Sequence, residues 1–169
     1  MRFFLTLILA LAPLGPALAK SVFPTVTSED LNGAPKTLPA ELPGDPTIVF
    51  VAYKRQQQEA VNTWISALDL DPSQGTEFVE IPVVGGATKL IRNVVDNGMR
   101  SGIVDTDMRA RTITLYENAS FVNDPLGFVG RNQIRVLIVR QNGEVLWSTS
   151  GPATDIQVNA LKEAFIAAQ

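Results

Sequence analysis

Residues 47–68 read TIVFVAYKRQQQEAVNTWISAL and decide the fold, because a buried strand and an amphipathic helix follow each other without a break. Residues 47–53 are almost wholly apolar and rich in β-branched side chains, which is typical of a central strand covered on both faces. Beyond them Val61, Trp64 and Leu68 recur at helical spacing. A strand followed at once by a helix predicts the start of a β-α-β unit.

The same alternation continues along the chain. Residues 77–84, EFVEIPVV, predict a second strand. A second helix should follow, ended by Gly98 in a left-handed conformation, with one apolar face made of Leu90, Ile91, Val94 and Val95. We expect a loop over 99–111, a half-buried strand over 112–118 and a short, proline-interrupted helix or turn over 120–128.

The C-terminal third predicts a hairpin and a helix. Residues 134–140 and 144–150 form two strand patterns joined by Gln141-Asn142-Gly143, which favours an antiparallel hairpin. Thr154 and Gln157 have the spacing of a capping box for the last helix. The complete order of elements predicts an α/β sandwich with a mixed sheet over residues 47–169.

The preceding segment, 20–46, contains five prolines and is expected to be an extended lead-in. Within it, Asn32-Gly33 predicts a turn between two short edge strands. The chain would therefore consist of an N-terminal signal, this lead-in and one α/β domain.

The composition excludes several classes of chemistry. The 169 residues include no cysteine and no histidine, and 14 Lys and Arg against 17 Asp and Glu give a net charge of -3. A chain without these two residues offers no disulfide, no thiolate nucleophile, no histidine-dependent triad and no ordinary zinc site. The acidic balance also argues against DNA or RNA as a partner.

The N-terminus has the pattern of a secretory signal peptide. Arg2 precedes an apolar run over residues 3–14, and Ala17-Leu18-Ala19 supplies a small-residue cleavage site, so the mature protein would begin at Lys20. The alternative is a retained membrane anchor, but the run is shorter than the roughly 20 residues that a spanning helix needs. We therefore expect cleavage and a periplasmic or secreted protein.

The order of elements, with the strand TIVFVAY and the hairpin VLIVRQNGEVLW, resembles the thioredoxin fold over residues 20–169. Alignment with that family places Arg55 and Gln58 at the positions of the two redox cysteines, with Gln56 and Gln57 between them. The position of the family's cis-proline falls at Ile134. The resemblance therefore implies a thioredoxin-like protein that is redox-inactive and is not an enzyme.

Two further resemblances concern shorter segments. Residues 144–161, EVLWSTSGPATDIQVNAL, are similar to ATP-synthase assembly factors of the ATPase complex subunit ten type, with matches at Trp147, Gly151, Ala153 and Thr154. This implies binding to another protein, membrane-associated in that family, as an assembly or chaperone-like factor. Residues 97–116 resemble uncharacterised bacterial exported thioredoxin-like proteins, which implies no activity.

The candidate binding surface begins at the helix that follows the first central strand. Lys54 and Arg55 would add positive charge to the free amides and the dipole of the helix N-terminus, next to Gln56, Gln57 and Gln58. Such a surface suits an acidic peptide or a small anion. The alternative interpretation is an ordinary solvated helix start.

Arginines outnumber lysines in the second half of the chain, where a planar guanidinium suits carboxylates and phosphates. Those of the second helix, the following insertion and the entry to the hairpin are Arg92, Arg100, Arg109, Arg111, Arg131 and Arg135. We include Arg100, Arg109 and Arg111 in the candidate surface. Because these three flank Asp105 and Asp107, the alternative is an internal salt-bridge network that holds a long loop.

The acidic residues give no convincing metal or catalytic site. Counted from Asp69, possible calcium ligands stand at Asp71, Ser73, Glu77 and Glu80, but Gln74 occupies the position that requires glycine. The close pairs Asp69 with Asp71 and Asp105 with Asp107 suit turns better than acid-base catalysis. We therefore expect no metal, no cofactor and no catalytic residue.

Overall fold

A four-stranded mixed sheet forms the centre of the protein in the computed structural model, which describes residues 21–72, 77–86 and 89–169, without the side chains of residues 89 and 90. The strand order is β4-β3-β5-β6. Strand β3 pairs in parallel with β4 and antiparallel with β5, which pairs antiparallel with β6. The predicted α/β sandwich with a mixed sheet is confirmed.

The elements have the following bounds. The strands are β1 Val26–Glu29, β2 Pro35–Leu38, β3 Thr47–Ala52, β4 Phe78–Pro82, β5 Arg135–Val139 and β6 Val145–Ser150. The α-helices are α1 Gln58–Leu68, α2 Lys89–Gly102, α3 Thr106–Ala110, α4 Ala119–Asn123 and α5 Asp155–Ala167. Short 3-10 turns at Arg55–Gln57 and Asp124–Leu126 precede α1 and follow α4.

The core has one layer on each face of the sheet. Alternate residues of β3 point to opposite faces, so Phe50 packs with Trp64 of α1 and Leu161 of α5. On the other face Val49 and Val51 pack against the N-terminal segment and the region around α4. Both faces of β3 are therefore covered, as its continuous apolar sequence predicts.

The lead-in forms the expected pair of short strands. Strands β1 and β2 make an antiparallel hairpin, and Gly33 adopts a φ of 85° in its turn. Phe23 and Leu38 are buried in the same cluster as the sheet. The hairpin therefore covers one face of the central sheet as well as forming its own small sheet.

The segment after β4 differs from the prediction in the length of α2 and in the loop that follows it. Helix α2 continues through Gly98 to Gly102, because Gly98 keeps helical geometry and is not among the glycines with positive φ. The expected loop contains the short helix α3, which Asp105 caps by accepting a hydrogen bond from the Met108 amide at 2.8 Å. The N-cap fixes where α3 begins, and a five-residue helix is too short to show a hydrophobic period in the sequence.

Residues 112–115 lie beside the edge of β4 through isolated parallel bridges. Bridges join Thr112 to Glu80 and Leu115 to Val83. Residues 112–115 are all buried and residues 116–118 are partly or fully exposed, so the alternating burial expected over 112–118 is not observed, and the segment pairs through isolated bridges. Ser28 contributes to this burial, because its hydroxyl donates a hydrogen bond to the Thr114 carbonyl.

The C-terminal hairpin and helix are confirmed. Gly143 has a φ of 89° in the turn between β5 and β6, and the Thr154 hydroxyl accepts a hydrogen bond from the Gln157 amide as the N-cap of α5. The predicted signal peptide, residues 1–19, lies outside the described residues. Among the residues that are described, no helix has the length and apolar character needed to cross a membrane.

Candidate functional site

The candidate site lies where β3 ends and the chain turns into α1. Lys54 has extended backbone geometry, and Arg55–Gln57 form a 3-10 turn before α1 begins at Gln58. Arg55 and Gln56 are exposed, whereas Gln57 is buried. The segment that resembles the redox motif is therefore part surface and part interior.

Gln57 fixes the turn through its side-chain amide. Its Oε1 accepts hydrogen bonds from the backbone amides of Tyr53 at 2.7 Å and Lys54 at 3.2 Å. Its Nε2 donates to the Arg131 carbonyl at 3.0 Å. The interpretation of residues 54–58 as a purely solvated helix start is therefore incomplete, because Gln57 joins the turn to the loop before β5.

That loop, residues 127–133, carries an exposed apolar side chain. Gly127 and Gly130 have φ values of 68° and 70°, a backbone region that glycine adopts without strain. Val129 stands between them and is 91% exposed. Lys54 Nζ donates to Asn132 Oδ1 at 2.9 Å, which gives the loop a second link to the turn.

Arg135, the first residue of β5, holds the loop from below. Its side chain is only 5% exposed, and its Nη atoms donate to the Val129 carbonyl at 2.8 Å and the Ser150 hydroxyl at 2.7 Å. The guanidinium lies 4.6 Å from the centre of the Phe128 ring. Within the described residues, Arg135 Nε has no hydrogen-bond partner and the Arg135 guanidinium forms no ion pair.

Two buried polar side chains complete this network. The Tyr53 hydroxyl donates to Asn123 Oδ1, and Asn123 Nδ2 donates to the Gly130 carbonyl at 2.8 Å. Burial raises the pKa of Tyr53 above its ordinary value, and the nearby Arg135 charge opposes that rise. Tyr53 therefore stays a neutral hydrogen-bond donor at physiological pH.

A buried carboxyl group lies beneath the start of α1. Glu80 of β4 is 7% exposed, and its Oε2 accepts a hydrogen bond from Gln58 Nε2 at 2.9 Å. Burial raises the pKa of Glu80, and the bond from Gln58 opposes the rise. Gln58 thus links the start of α1 to strand β4 of the sheet.

Three cations remain at this site without a carboxylate partner. Lys54, Arg55 and Arg131, which we call the basic surface, form no ion pair within the part of the chain that the structure describes. Arg131 and Asn132 were not part of the sequence-predicted surface, and neither was Val129. The paired glycines around Val129 and the single arginine in an otherwise apolar strand, at Arg135, are the sequence signals for this loop.

The other arginines of the candidate surface do not join the basic surface. Arg111 donates to the Phe78 carbonyl at 3.2 Å and pairs with Glu77 at 2.9 Å. Both residues lie at the N-terminal end of β4. Lys54 follows the opposite end of the neighbouring parallel strand. The sequence-predicted surface therefore separates into two regions.

Arg100 and Arg109 bind backbone carbonyls instead of acids. Arg100 Nε donates to the Leu31 carbonyl at 2.6 Å, and Arg109 Nη2 donates to the Arg100 carbonyl at 2.7 Å. The predicted salt bridges with Asp105 and Asp107 do not form among the described residues. The arginines do hold the segment in place, but they do so through neutral acceptors, which a charge pattern cannot reveal.

The remaining candidates are placed as follows. Ile134 is buried immediately before β5. The two cis peptide bonds among the described residues precede Pro39 and Pro46, in the lead-in, and not Ile134. Glu77 is paired with Arg111 and Glu80 is buried under Gln58, so they do not converge on a calcium ion. Ser73 lies outside the described residues, and no metal-binding acidic group exists within them.

No protein-family model and no curated protein matches the chain. Among solved structures, it is similar to the exposed lipoprotein thioredoxin Etrx1 of Streptococcus pneumoniae, at 13% identity and a TM-score of 0.52 over 83% of this chain and 99% of that one. It is also similar to the thioredoxin domain of a thiol-disulfide oxidoreductase from Bacteroides vulgatus, at 15% identity and a TM-score of 0.53 over 88% and 99% of the two chains.

A third similar structure is BsSco, a member of the Sco family of cytochrome c oxidase assembly proteins, at 12% identity and a TM-score of 0.56 over 86% of this chain and 94% of that one. At these identities the similarity concerns the fold alone. The fold is thioredoxin-like, and the chain contains no cysteine. The resemblance to ATP-synthase assembly factors receives no support from these comparisons.

Proposed function

We propose that this chain is an exported, redox-inactive thioredoxin-like protein that binds another protein through the basic surface and Val129. The supporting observation is the combination of three cations that form no ion pair among the described residues with an almost fully exposed valine, on a loop that Gln57 and Arg135 bind through hydrogen bonds to its backbone carbonyls. Arginine is enriched at protein interfaces, and a backbone that is already ordered lowers the cost of binding. The chain itself supplies no thiol for disulfide exchange.

The partner would present an acidic segment. Oppositely charged surfaces steer encounter and exclude like-charged proteins, and a basic surface on a protein of net charge -3 is a selective feature. An assembly or chaperone-like role, with a membrane-associated partner, is the finer form of this proposal. The signal-like N-terminus supports action in the periplasm or outside the cell.

A charge-reversal experiment tests the surface. The double variant Lys54→Glu/Arg55→Glu should lose its partner in affinity capture from the native host, because two attractive charges become repulsive. The control Lys36→Glu/Lys162→Glu makes the same change in net charge at two lysines elsewhere on the protein that form no ion pair within the described part of the chain, and it should retain the partner. Equal recovery by both variants would refute the basic surface as the binding site.

Binding of a small anion at the same surface is the alternative. It is favoured by the Arg55 and Arg131 guanidiniums, which have no ion pair among the described residues. A ligand that binds only the folded state raises the melting temperature, by mass action, as its concentration passes the dissociation constant. A thermal-shift series with phosphate and with dicarboxylates should show that rise; an unchanged melting temperature at high ligand concentration would eliminate this alternative.

A further inference from the structure

A cavity lies between the lead-in hairpin and α3, near the end of β4 where Arg111 pairs with Glu77. Its volume is about 390 Å³, within the range of roughly 300–1,000 Å³ in which proteins bind small molecules. Its described lining comes from β2 and the segment after it, from β4 and from α3. The cavity and the basic surface therefore lie at opposite ends of the sheet.

The apolar part of the lining combines buried and exposed side chains. Val79 and Ile113 line the cavity from the core and are each only 1% exposed. Pro43 and Ala110 also line it and are exposed, so they can contact a bound molecule. Proline has a fixed φ, and an ordered wall lowers the entropy that binding costs. The cavity therefore offers apolar contacts to a small side chain.

Side chains of opposite charge line the same cavity without pairing with one another. Lys36 of β2 is half-buried, and Glu41 and Asp107 are exposed. None of these three forms an ion pair within the described residues, whereas Arg111 is already paired with Glu77 at 2.9 Å. Charges of both signs that face one cavity and do not meet are available to a ligand that carries both charges itself.

We propose that this cavity binds a small zwitterion with an apolar side chain, the chemistry of a neutral aliphatic α-amino acid. The ligand carboxylate would pair with Lys36, and the ligand ammonium group would pair with Asp107 and Glu41. Glu41 is held in position by a hydrogen bond that its Oε2 accepts from the Thr37 amide. The aliphatic side chain would lie against Ala110 and the rest of the apolar lining.

Ligands with a single charge fit this lining less well. A simple anion is attracted by Lys36 but repelled by Glu41 and Asp107, and a simple cation meets the reverse arrangement. Within the part of the chain that the structure describes, no group of three or more acidic side chains could bind a metal ion. Because the three free charges of the cavity sum to one negative charge, a simple cation is the nearest competitor.

Isothermal titration calorimetry with L-leucine and its two single-charge analogues tests the ligand class. 3-Methylbutylamine lacks the carboxylate of leucine, and 4-methylpentanoate lacks its ammonium group. L-Leucine should bind with a dissociation constant between about 0.1 mM and about 10 mM, and each analogue should bind at least about tenfold more weakly. An analogue that binds as well as L-leucine would overturn the proposal. So would a protein that binds neither L-leucine nor L-alanine at about 50 mM.

Neutralising substitutions test the two charge contacts. Lys36→Gln and Asp107→Asn should each weaken L-leucine binding by at least about tenfold. The matched controls Lys162→Gln and Asp155→Asn make the same changes on α5, where Asp155 is exposed in the first turn as Asp107 is in α3. Both controls should bind L-leucine as the parent protein does. Unchanged affinity in Lys36→Gln and in Asp107→Asn would overturn the proposal.

A third variant tests the cavity itself. Ala110→Phe adds a ring at an exposed lining position and should block L-leucine binding, while circular dichroism shows the helix content of the parent protein. Normal binding by Ala110→Phe would place the ligand elsewhere and overturn the proposal.

Nuclear magnetic resonance locates the ligand on the protein. L-Leucine should shift the amide resonances of Asp107 and Ala110, and shifts confined to residues 54–58 would assign the ligand to the basic surface and overturn the proposal. This inference is independent of the proposed function, because Lys54→Glu/Arg55→Glu changes the other end of the sheet and should leave L-leucine binding unchanged.

Discussion

Helices α1 and α2 have similar sequence patterns, but the apolar residues of α1 face the core whereas Ile91 and Val94 of α2 face the solvent. Each carries an apolar stripe at helical spacing, yet Val61 and Trp64 of α1 are buried whereas Ile91 and Val94 of α2 are exposed. Helix α1 follows β3 directly, and its apolar residues pack on one face of the sheet. On the chain after α2, residues 112–115 pair with the edge of β4. Hydrophobic periodicity therefore predicts that a helix forms, and the surface available to it decides which face turns inward.

The largest expected effect tests the buried half of this comparison. Trp64→Ala should lower the free energy of unfolding by about 3–5 kcal/mol, because it removes a completely buried indole and its hydrogen bond of 2.9 Å to the Gly151 carbonyl. Val94→Ala should cost less than about 1 kcal/mol, since its side chain is largely exposed. Urea denaturation of both variants is the measurement, and equal losses would contradict the opposite orientations.

A smaller effect is expected at the turn that begins α1. Gln57→Ala should lower the free energy of unfolding by about 2–3 kcal/mol, because it leaves the Tyr53 amide buried without its acceptor. The neighbouring Gln56→Ala is a matched control at an exposed position and should change stability by no more than about 0.5 kcal/mol. If the two variants unfold at the same urea concentration, Gln57 does not fix the turn.

Glu80, which accepts a hydrogen bond from Gln58 at the start of α1, gives that side of the comparison a pH dependence. Because burial raises its pKa, the folded state binds the proton more tightly than the unfolded state, so its contribution to stability is full below the ordinary value of 4.5 and is lost as pH rises through the folded pKa. Glu80→Gln should remove this slope and should be at least as stable as the parent protein at neutral pH.

Urea denaturation at several values between about pH 4 and about pH 8 measures the slope. Glu59→Gln is the control, because that carboxyl group is exposed in the first turn of α1 and should leave the slope unchanged. A Glu80→Gln variant with the parent's pH dependence would show that Glu80 is not the group responsible.

The fold was predictable where one signal dominated a segment. The continuous apolar run of β3, the stripe of α1 and the Asn-Gly turn before β6 each specify one local structure, and all three are confirmed. The prediction failed over 99–111, where Asp105 caps a five-residue helix too short to show a hydrophobic period. It also missed that Gly98 remains helical, because a glycine alone does not end a helix whose flanking contacts continue.

The site was predictable only in part. Residues 54–58 lie together because they are consecutive, whereas the contacts that fix them come from residues far along the chain, such as Arg131 and Asn132. Charge alone grouped Arg100, Arg109 and Arg111 with this surface, but Arg100 and Arg109 donate to backbone carbonyls, which every residue has and no sequence pattern distinguishes, and Arg111 pairs with Glu77 at the other end of the sheet. Long-range contacts with main-chain atoms were thus the unpredictable component.

The smallest expected effect tests the exposed side of α2 at Gly98. Gly98→Ala should raise the free energy of unfolding by about 0.5–1 kcal/mol in dilute protein, because alanine loses less backbone entropy in a helix and the added methyl meets no atom within 4 Å. Gly143→Ala is the opposite case, since its φ is 89° and a Cβ there would lie 3.2 Å from Val22, so it should destabilise. Thermal unfolding measures both, and a destabilising Gly98→Ala would contradict the open space that the structure shows beside Gly98.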